Sequence, residues 1–248
     1  MQTSQHQFFS AALQQQMNIL VYGEQGKPAL VFPPQGGVAG DFAGFGMVEA
    51  CREFIEQGRL RLFCVDSVDN QSWAAHDLPP AARAQRHEEY DRHITQEVCP
   101  FIAALYGRSV KCLTAGCSMG GYHAGNFFFR RPELFDTMIS LSGLFDLRLF
   151  IGDYMDQTVY YNSPLAYLPH LNDKHYLDLY ARSSIIICTG QGAWEEEMIE
   201  DARAMEQVLS TKDIPHWVDF WGYDVCHDWP WWKKQWPYFL SHCSLERY

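Results

Sequence analysis

The sequence lacks the spacings that usually announce a metal centre. It has eight cysteines and ten histidines, yet no Cys-x-x-Cys, no His-Glu-x-x-His and no His-x-His, so no metal or other cofactor is expected. No apolar run reaches the ~18 residues that a membrane span needs, so no membrane partner is expected. Basic residues are scarce, 19 Lys and Arg against 30 Asp and Glu for a formal net charge of -11. They cluster only as pairs (Arg59 with Arg61, Arg130 with Arg131, Lys233 with Lys234). A phosphate backbone would be repelled, which excludes nucleic acid as a partner. The first residues, MQTSQHQFFSAALQQQ, have no basic start followed by a long apolar stretch, so no secretory signal is expected. Cys64, Cys112 and Cys188 fall inside predicted buried strands, where a thiol acts as a small apolar group. That usage fits a reducing cytoplasm better than a disulfide scaffold. Internal repeats and low-complexity linkers are also missing, so one domain over 1–248 is expected.

What the chain does have is an alternation of strand-like and helix-like stretches. MNILVYG (17–23) and PALVFP (28–33) are separated by four turn-like residues and suggest an antiparallel hairpin. A helix is predicted over DFAGFGMVEACREFIEQG, with Asp41 as N-cap and Gly58 past its end. LRLFCVDSV (60–68) is the next strand, and a long helix over 80–106 closes at Gly107. Further strands are predicted at 110–115, 137–143, 184–190 and 216–222, with helices ending near Pro132, running from Glu195 to Leu209, and following Pro230. Continuous apolar runs alternating with amphipathic helices argue for an α/β fold: a mostly parallel sheet with an antiparallel N-terminal hairpin and helices on both faces. Residues 146–183 are long, aromatic and irregular between two strands, which makes them a candidate lid or pocket wall.

The chemistry centres on LTAGCSMGGY (113–122). Ser118 lies between an apolar strand and a helix with Gly116 and Gly120 on either side, the G-x-S-x-G form of a nucleophile elbow. A serine hydroxyl needs a base to take its proton, and the base needs a carboxylate to fix its tautomer. α/β hydrolases carry these in the order Ser, acid, His. In GYDVCHDWPWW, His227 follows the last predicted strand and precedes the tail helix, which is the position the base requires. The acid should follow the strand at 184–190, where TGQGAWEEEM offers Glu195, Glu196 and Glu197. Glu196 is favoured, with Glu195 second and Asp224 a further alternative. The amide after the nucleophile, that of Met119, is the expected oxyanion donor, and Gln35 or Gly36 in PPQGGVAG should supply the second.

These pieces resemble the putative-esterase branch of the α/β hydrolases, which includes esterase D, enterochelin esterases, mycolyltransferases and feruloyl or acetyl xylan esterases. The matching stretches are FPPQGG, SVDNQSW, GCSMGGYHAGNFFFRRPELF with SLSGLFDL, YYNSPLAYL and GYDVCHDWPWW. The resemblance spans nearly the whole chain. It implies an α/β-hydrolase fold and a serine carboxylic-ester hydrolase acting through an acyl-enzyme on a small-molecule ester. By position it implies Ser118 as nucleophile, His227 as base, and the Met119 and Gln35 amides as oxyanion donors. Many members carry Asp as the acid, whereas this loop offers Glu. Trp73 and Trp229 resemble aromatic residues near the pocket of relatives, with core packing the alternative for each. The same acyl-enzyme would also serve an acyltransferase, and a non-catalytic binding protein on this fold is the third reading. The sequence does not set the oligomeric state, and a homodimer is compatible with it.

Overall fold

Successive residues of a strand face opposite sides of a sheet, and here both sides are apolar. Ala29 and Val31 belong to one buried cluster and Leu30 and Phe32 to another; Ile186 and Cys188 divide from Ile185 and Ile187 in the same way. Such strands need a layer of helices on each face. The computed structural model, which describes residues 1–245, provides both layers.

The eight strands are β1 (Thr3–Ser10), β2 (Gln15–Tyr22), β3 (Lys27–Phe32), β4 (Leu60–Val65), β5 (Cys112–Cys117), β6 (Phe135–Leu141), β7 (Ser184–Thr189) and β8 (Trp217–Phe220). They form one sheet in the order β1-β2-β4-β3-β5-β6-β7-β8. From β4 through β8 every neighbouring pair is parallel. Between β3 and β4 lie α1 (Asp41–Gly44), α2 (Met47–Ala50) and α3 (Arg52–Glu56). α4 (Pro80–His93) and α5 (Cys99–Tyr106) precede β5, and α6 (Met119–Arg130) follows it. After β6 come α7 (Arg148–Ile151), α8 (Gln157–Asn162), α9 (Pro164–Tyr167) and α10 (Lys174–Tyr180). α11 (Glu196–Thr211) follows β7 and α12 (Trp229–His242) follows β8. One core layer packs Phe127, Phe128 and Phe129 of α6 with Met205 and Leu209 of α11; the other packs Phe42, Met47 and Ile55 with Trp232, Trp236 and Phe239 of α12. No helix among the described residues is long and apolar enough to cross a membrane.

The mostly parallel sheet and its antiparallel start agree with the sequence, but the strands of the hairpin differ. Residues 17–23 and 28–33 do not pair. β2 runs antiparallel to β1 and β4, and β3 lies between β4 and β5, parallel to both. The hairpin is β1–β2, registered from Thr3↔Tyr22 to Ser10↔Gln15. β1 reads TSQHQFFS. As an edge strand with much of its length in solvent, it lacks the apolar run that marks the interior strands.

Two helices also differ in detail. The one expected over 41–58 is broken into three by Gly46 at φ 82° and by Cys51, whose ψ of 15° departs from helical geometry. Asp41 is the first helical residue rather than the cap, and its Oδ2 accepts from Val38 N–H at 2.9 Å. The helix expected over 80–106 passes through a π turn at Ile94–Val98 and ends at Gly107, left-handed at φ 64°. Pro100, with no N–H to give the preceding turn, stands two residues past the end of that π turn. The stretch 146–183 is not irregular. Its polar and aromatic residues form the four short helices α7 to α10 and a 3-10 turn at Leu168–His170.

A close backbone approach lies where β3, β5 and α6 meet. A Cβ on Gly120 would stand 2.3 Å from the Phe32 carbonyl oxygen, and one on Gly116 would stand 2.3 Å from the Gly120 carbonyl. Neither neighbour is a side chain that can swing away. Gly120→Ala is expected to destabilise the protein by about 1–3 kcal/mol, the cost of overpacking a close contact. Thermal denaturation would record it as a Tm lowered by several degrees.

Candidate active site

Ser118 joins β5 to α6 with φ 57° and ψ −125°. A non-glycine residue in this region carries roughly 1–3 kcal/mol of strain and persists only where its surroundings hold it. Both sides do so. Ser118 N–H donates to the Leu141 carbonyl of β6 at 2.9 Å, while the Ser118 carbonyl accepts from Gly121 N–H at 2.8 Å and Tyr122 N–H at 3.1 Å. The missing side chains at 116 and 120 let this turn close against the end of β3. Ser118 itself is half-buried, at the C-terminal edge of the parallel strands. Cys117 beside it is no rival nucleophile, because burial pushes its thiol well above the ordinary value and keeps it protonated.

The loop after β3 presents five amides from Gln35 to Ala39, since Pro33 and Pro34 have none to give. Gly36 N–H donates to Asp69 Oδ2 at 3.0 Å, Gly37 to the Pro34 carbonyl at 2.9 Å, Val38 to Asp41 Oδ2 at 2.9 Å and Ala39 to Asp66 Oδ1 at 2.9 Å. Of the two residues the sequence offered, Gly36 is therefore committed, and Gln35 retains an amide with no partner among the described residues. Met119 is the first residue of α6, where a helix leaves its N–H groups unpaired.

The acid loop reverses at Trp194, left-handed at φ 68°, and turns Glu195 inward. Glu195 is fully buried, whereas Glu196 and Glu197 are exposed on the first turn of α11. Glu195 Oε1 accepts from Ser142 Oγ at 2.6 Å and from Gly190 N–H at 3.4 Å, and Oε2 accepts from Thr189 Oγ1 at 2.8 Å. Oε2 also faces Nδ1 of His227 at 3.5 Å. This reverses the order read from the sequence: Glu195, not Glu196, is placed against the histidine. The reason is local. Acids are favoured by the dipole at any helix N-terminus, so three consecutive glutamates look alike until the turn at Trp194 separates the inward one. Asp224 is exposed, in the turn that follows β8.

His227 is held from two sides. Its backbone N–H donates to the Ala193 carbonyl at 3.1 Å, and its ring meets Trp232 edge-on at 5.0 Å. Trp232 Nε1 donates to Ser142 Oγ at 3.0 Å, so indole, hydroxyl and carboxylate form one chain. Sequence reasoning did not single out Ser142, Thr189 or Trp232, because hydroxyls and a tail tryptophan carry no motif. Their only signal is position, each at the C-terminal end of a strand or at the start of α12.

The two tryptophans singled out from the sequence lie apart. Trp73 is fully buried and packs with Met119, Tyr122, Ile151 and Val159. Trp229 is half-buried and stacks on Phe45 with ring centroids 4.3 Å apart. A cavity of about 400 Å³ opens elsewhere, among Phe129, Arg130, Arg131, Tyr161, Tyr167 and Tyr176. It sits at the far end of α6, about 18 Å along the helix from Ser118 at 1.5 Å per residue.

Beneath the elbow is a buried polar group. His87 Nε2 pairs with Asn126 Nδ2 at 3.1 Å, and its ring stacks 5.5 Å from that of His123. Burial, with further contributions from His123 and Arg130, pushes His87 well below its ordinary 6.5, so it stays neutral when folded.

A strained serine turn at the end of a parallel strand, with helices over both sheet faces, defines the α/β-hydrolase fold. The chain belongs to the Putative esterase family, whose model matches residues 10–240. Among solved structures it is similar to a ferulic acid esterase, at 16% identity and TM-score 0.75, covering 97% of this chain and 96% of that one. It is also similar to an S-formylglutathione hydrolase from Agrobacterium tumefaciens, at 16% identity and TM-score 0.74, covering 99% and 95%. A third is FphF, a fluorophosphonate-binding serine hydrolase of Staphylococcus aureus, at 17% identity and TM-score 0.70, covering 97% of each chain. At these identities the likeness is one of fold. No curated protein matches the chain significantly.

Two outcomes are expected from this geometry. Ser142→Ala removes a donor to a buried carboxylate, a bond worth roughly 1.5–3 kcal/mol; ester turnover should fall about tenfold and Tm by a few degrees, measured on the same preparation. For His87 the folded state resists a proton that the unfolded chain accepts, so stability is intact above the ordinary value of 6.5 and is lost as pH falls below it. His87→Gln should flatten that acid loss in urea titrations between about pH 7 and pH 5.

Proposed function

We propose that this chain is a serine carboxylic-ester hydrolase in which Ser118, His227 and Glu195 act together. The observation that carries this reading is the buried Glu195 carboxylate facing His227 Nδ1, on the same sheet edge as the strained Ser118. Family membership supports ester hydrolysis as the class of reaction.

In this mechanism Ser118 Oγ attacks the ester carbonyl while His227 Nε2 takes its proton. Glu195 holds the imidazole by Nδ1–H and stabilises the imidazolium that forms. The oxyanion is bound by the Met119 and Gln35 amides. The tetrahedral intermediate expels the alcohol, which leaves with the proton from His227. Water, deprotonated by the same base, then attacks the acyl-Ser118 carbonyl, and collapse frees the carboxylic acid and restores the serine hydroxyl. Segment 146–183 serves as a wall of the substrate pocket: Ile151 of α7 and Val159 of α8 lie in one apolar cluster with Met119 and Trp73.

The test is hydrolysis of p-nitrophenyl acetate, butyrate and octanoate. Ser118→Ala should lose about 10⁴–10⁶ in kcat, and Glu195→Gln about 10²–10⁴. Glu196→Gln, on the solvent side, should stay within about twofold of wild type. Full activity of Glu195→Gln would overturn the acid assignment. A wild type inert to all three esters and unlabelled by fluorophosphonate would overturn the enzyme reading and favour a non-catalytic binding protein.

A further inference from the structure

Asp69 is a carboxylate with nowhere to meet water. It is 1% exposed, in a 3-10 turn at Asp69–Gln71. Buried ionised groups are rare unless each oxygen is paired, and both oxygens are. Oδ1 takes His123 Nε2–H at 2.8 Å, and Oδ2 takes Gly36 N–H at 3.0 Å. His123 is fully buried on α6, five residues beyond Ser118. One side chain thus ties the nucleophile's helix to the loop that follows β3.

The rest of that loop is pinned to the same stretch of chain. Ser67 N–H and Oγ both donate to the Gly37 carbonyl, at 3.2 and 2.9 Å, and Asp66 Oδ1 accepts from Ala39 N–H at 2.9 Å. Gly36 is left-handed at φ 67°, and a Cβ there would stand 2.7 Å from the Asn70 side chain. Asp69 is the member of this set that also grips α6.

We propose that Asp69 is a positioning residue for the oxyanion hole, holding the Gln35–Gly36 peptide in register with the first turn of α6 so that the Gln35 and Met119 amides converge on one oxygen. This rests on the serine-esterase reading above. An oxyanion donor acts by standing in place before charge develops. Its partner amide sits at a helix N-terminus that cannot adjust, because Gly120 is already in backbone contact with Phe32 and Pro33. The loop must therefore be the part that is fixed, and the Asp69 carboxylate fixes it from the buried side. Loss of the anchor should weaken transition-state binding and leave substrate binding nearly unchanged.

The experiment combines kinetics on p-nitrophenyl butyrate with the amide spectrum of ¹⁵N-labelled protein. Asp69→Ala is expected to lower kcat by about 10²-fold, the scale of a misplacement near 1 Å, with KM within about threefold. Asp69→Asn keeps one acceptor oxygen for Gly36 and should recover kcat to within about five- to tenfold of wild type. The Gly36 amide proton, shifted downfield by its bond to a carboxylate, should move upfield in both variants. Should Asp69→Ala fail to fold, Asp69→Asn carries the test through the same two readouts. Wild-type kcat in either folded variant, a loss expressed wholly in KM, or an unmoved Gly36 amide would overturn the proposal. An inert wild type would overturn the esterase reading instead, so the two failures are told apart by the control.

Discussion

The structure depends on one backbone-to-backbone contact. The first turn of α6 touches the carbonyls at the end of β3 through Gly120, and Gly116 of β5 touches Gly120 in turn. Nothing about this contact is chemical in itself. It is a steric allowance of two hydrogen atoms in place of two methyl groups. Everything at the candidate site is measured from it. It sets the height of Ser118 above the sheet, brings the Met119 amide beside the loop after β3, and leaves no slack by which a misplaced loop could be compensated from the helix side.

Glu195 is secured by a different principle. Glu195 has lost all contact with solvent, and the lost hydration is replaced by two hydroxyls, an amide and an imidazole drawn from β6, β7 and the loop after β8. Fixed donors on both oxygens hold a buried carboxylate in one direction. The donor at Ser142 is oriented by the Trp232 indole of α12. The helix that seals one face of the core thereby also steers the carboxylate that steers the histidine.

Much of this was legible in the sequence because it is written in patterns with a period or a fixed offset. The interior strands announce themselves by continuous apolar runs, the serine turn by glycines at plus and minus two, and His227 by its place after the last strand. The unreadable parts are those where the signal is tertiary. β1 is polar because it is an edge, so no run marks it, and the hairpin was read from the wrong pair of strands. Three successive glutamates share one helical environment in sequence, and only the left-handed turn at Trp194 sends Glu195 inward and leaves Glu196 in solvent. Ser142, Thr189 and Asp69 are common residues made special by what lies across from them. The split of 41–58 into three helices turned on the left-handed Gly46, which a pattern of apolar positions does not record.

The tie between Trp232 and Ser142 also joins parts of the chain 90 residues apart. β5, Ser118 and α6 leave the ribosome well before α12 does. A chain cut before His227 would lack both that imidazole and the indole that bonds Ser142. On the proposed reading such a chain carries its serine without a base. On that reading α12 acts as a latch, far from the serine in sequence yet tied through Ser142 to Glu195. Nicked or prematurely ended chains would then be inert fragments, not unregulated esterases.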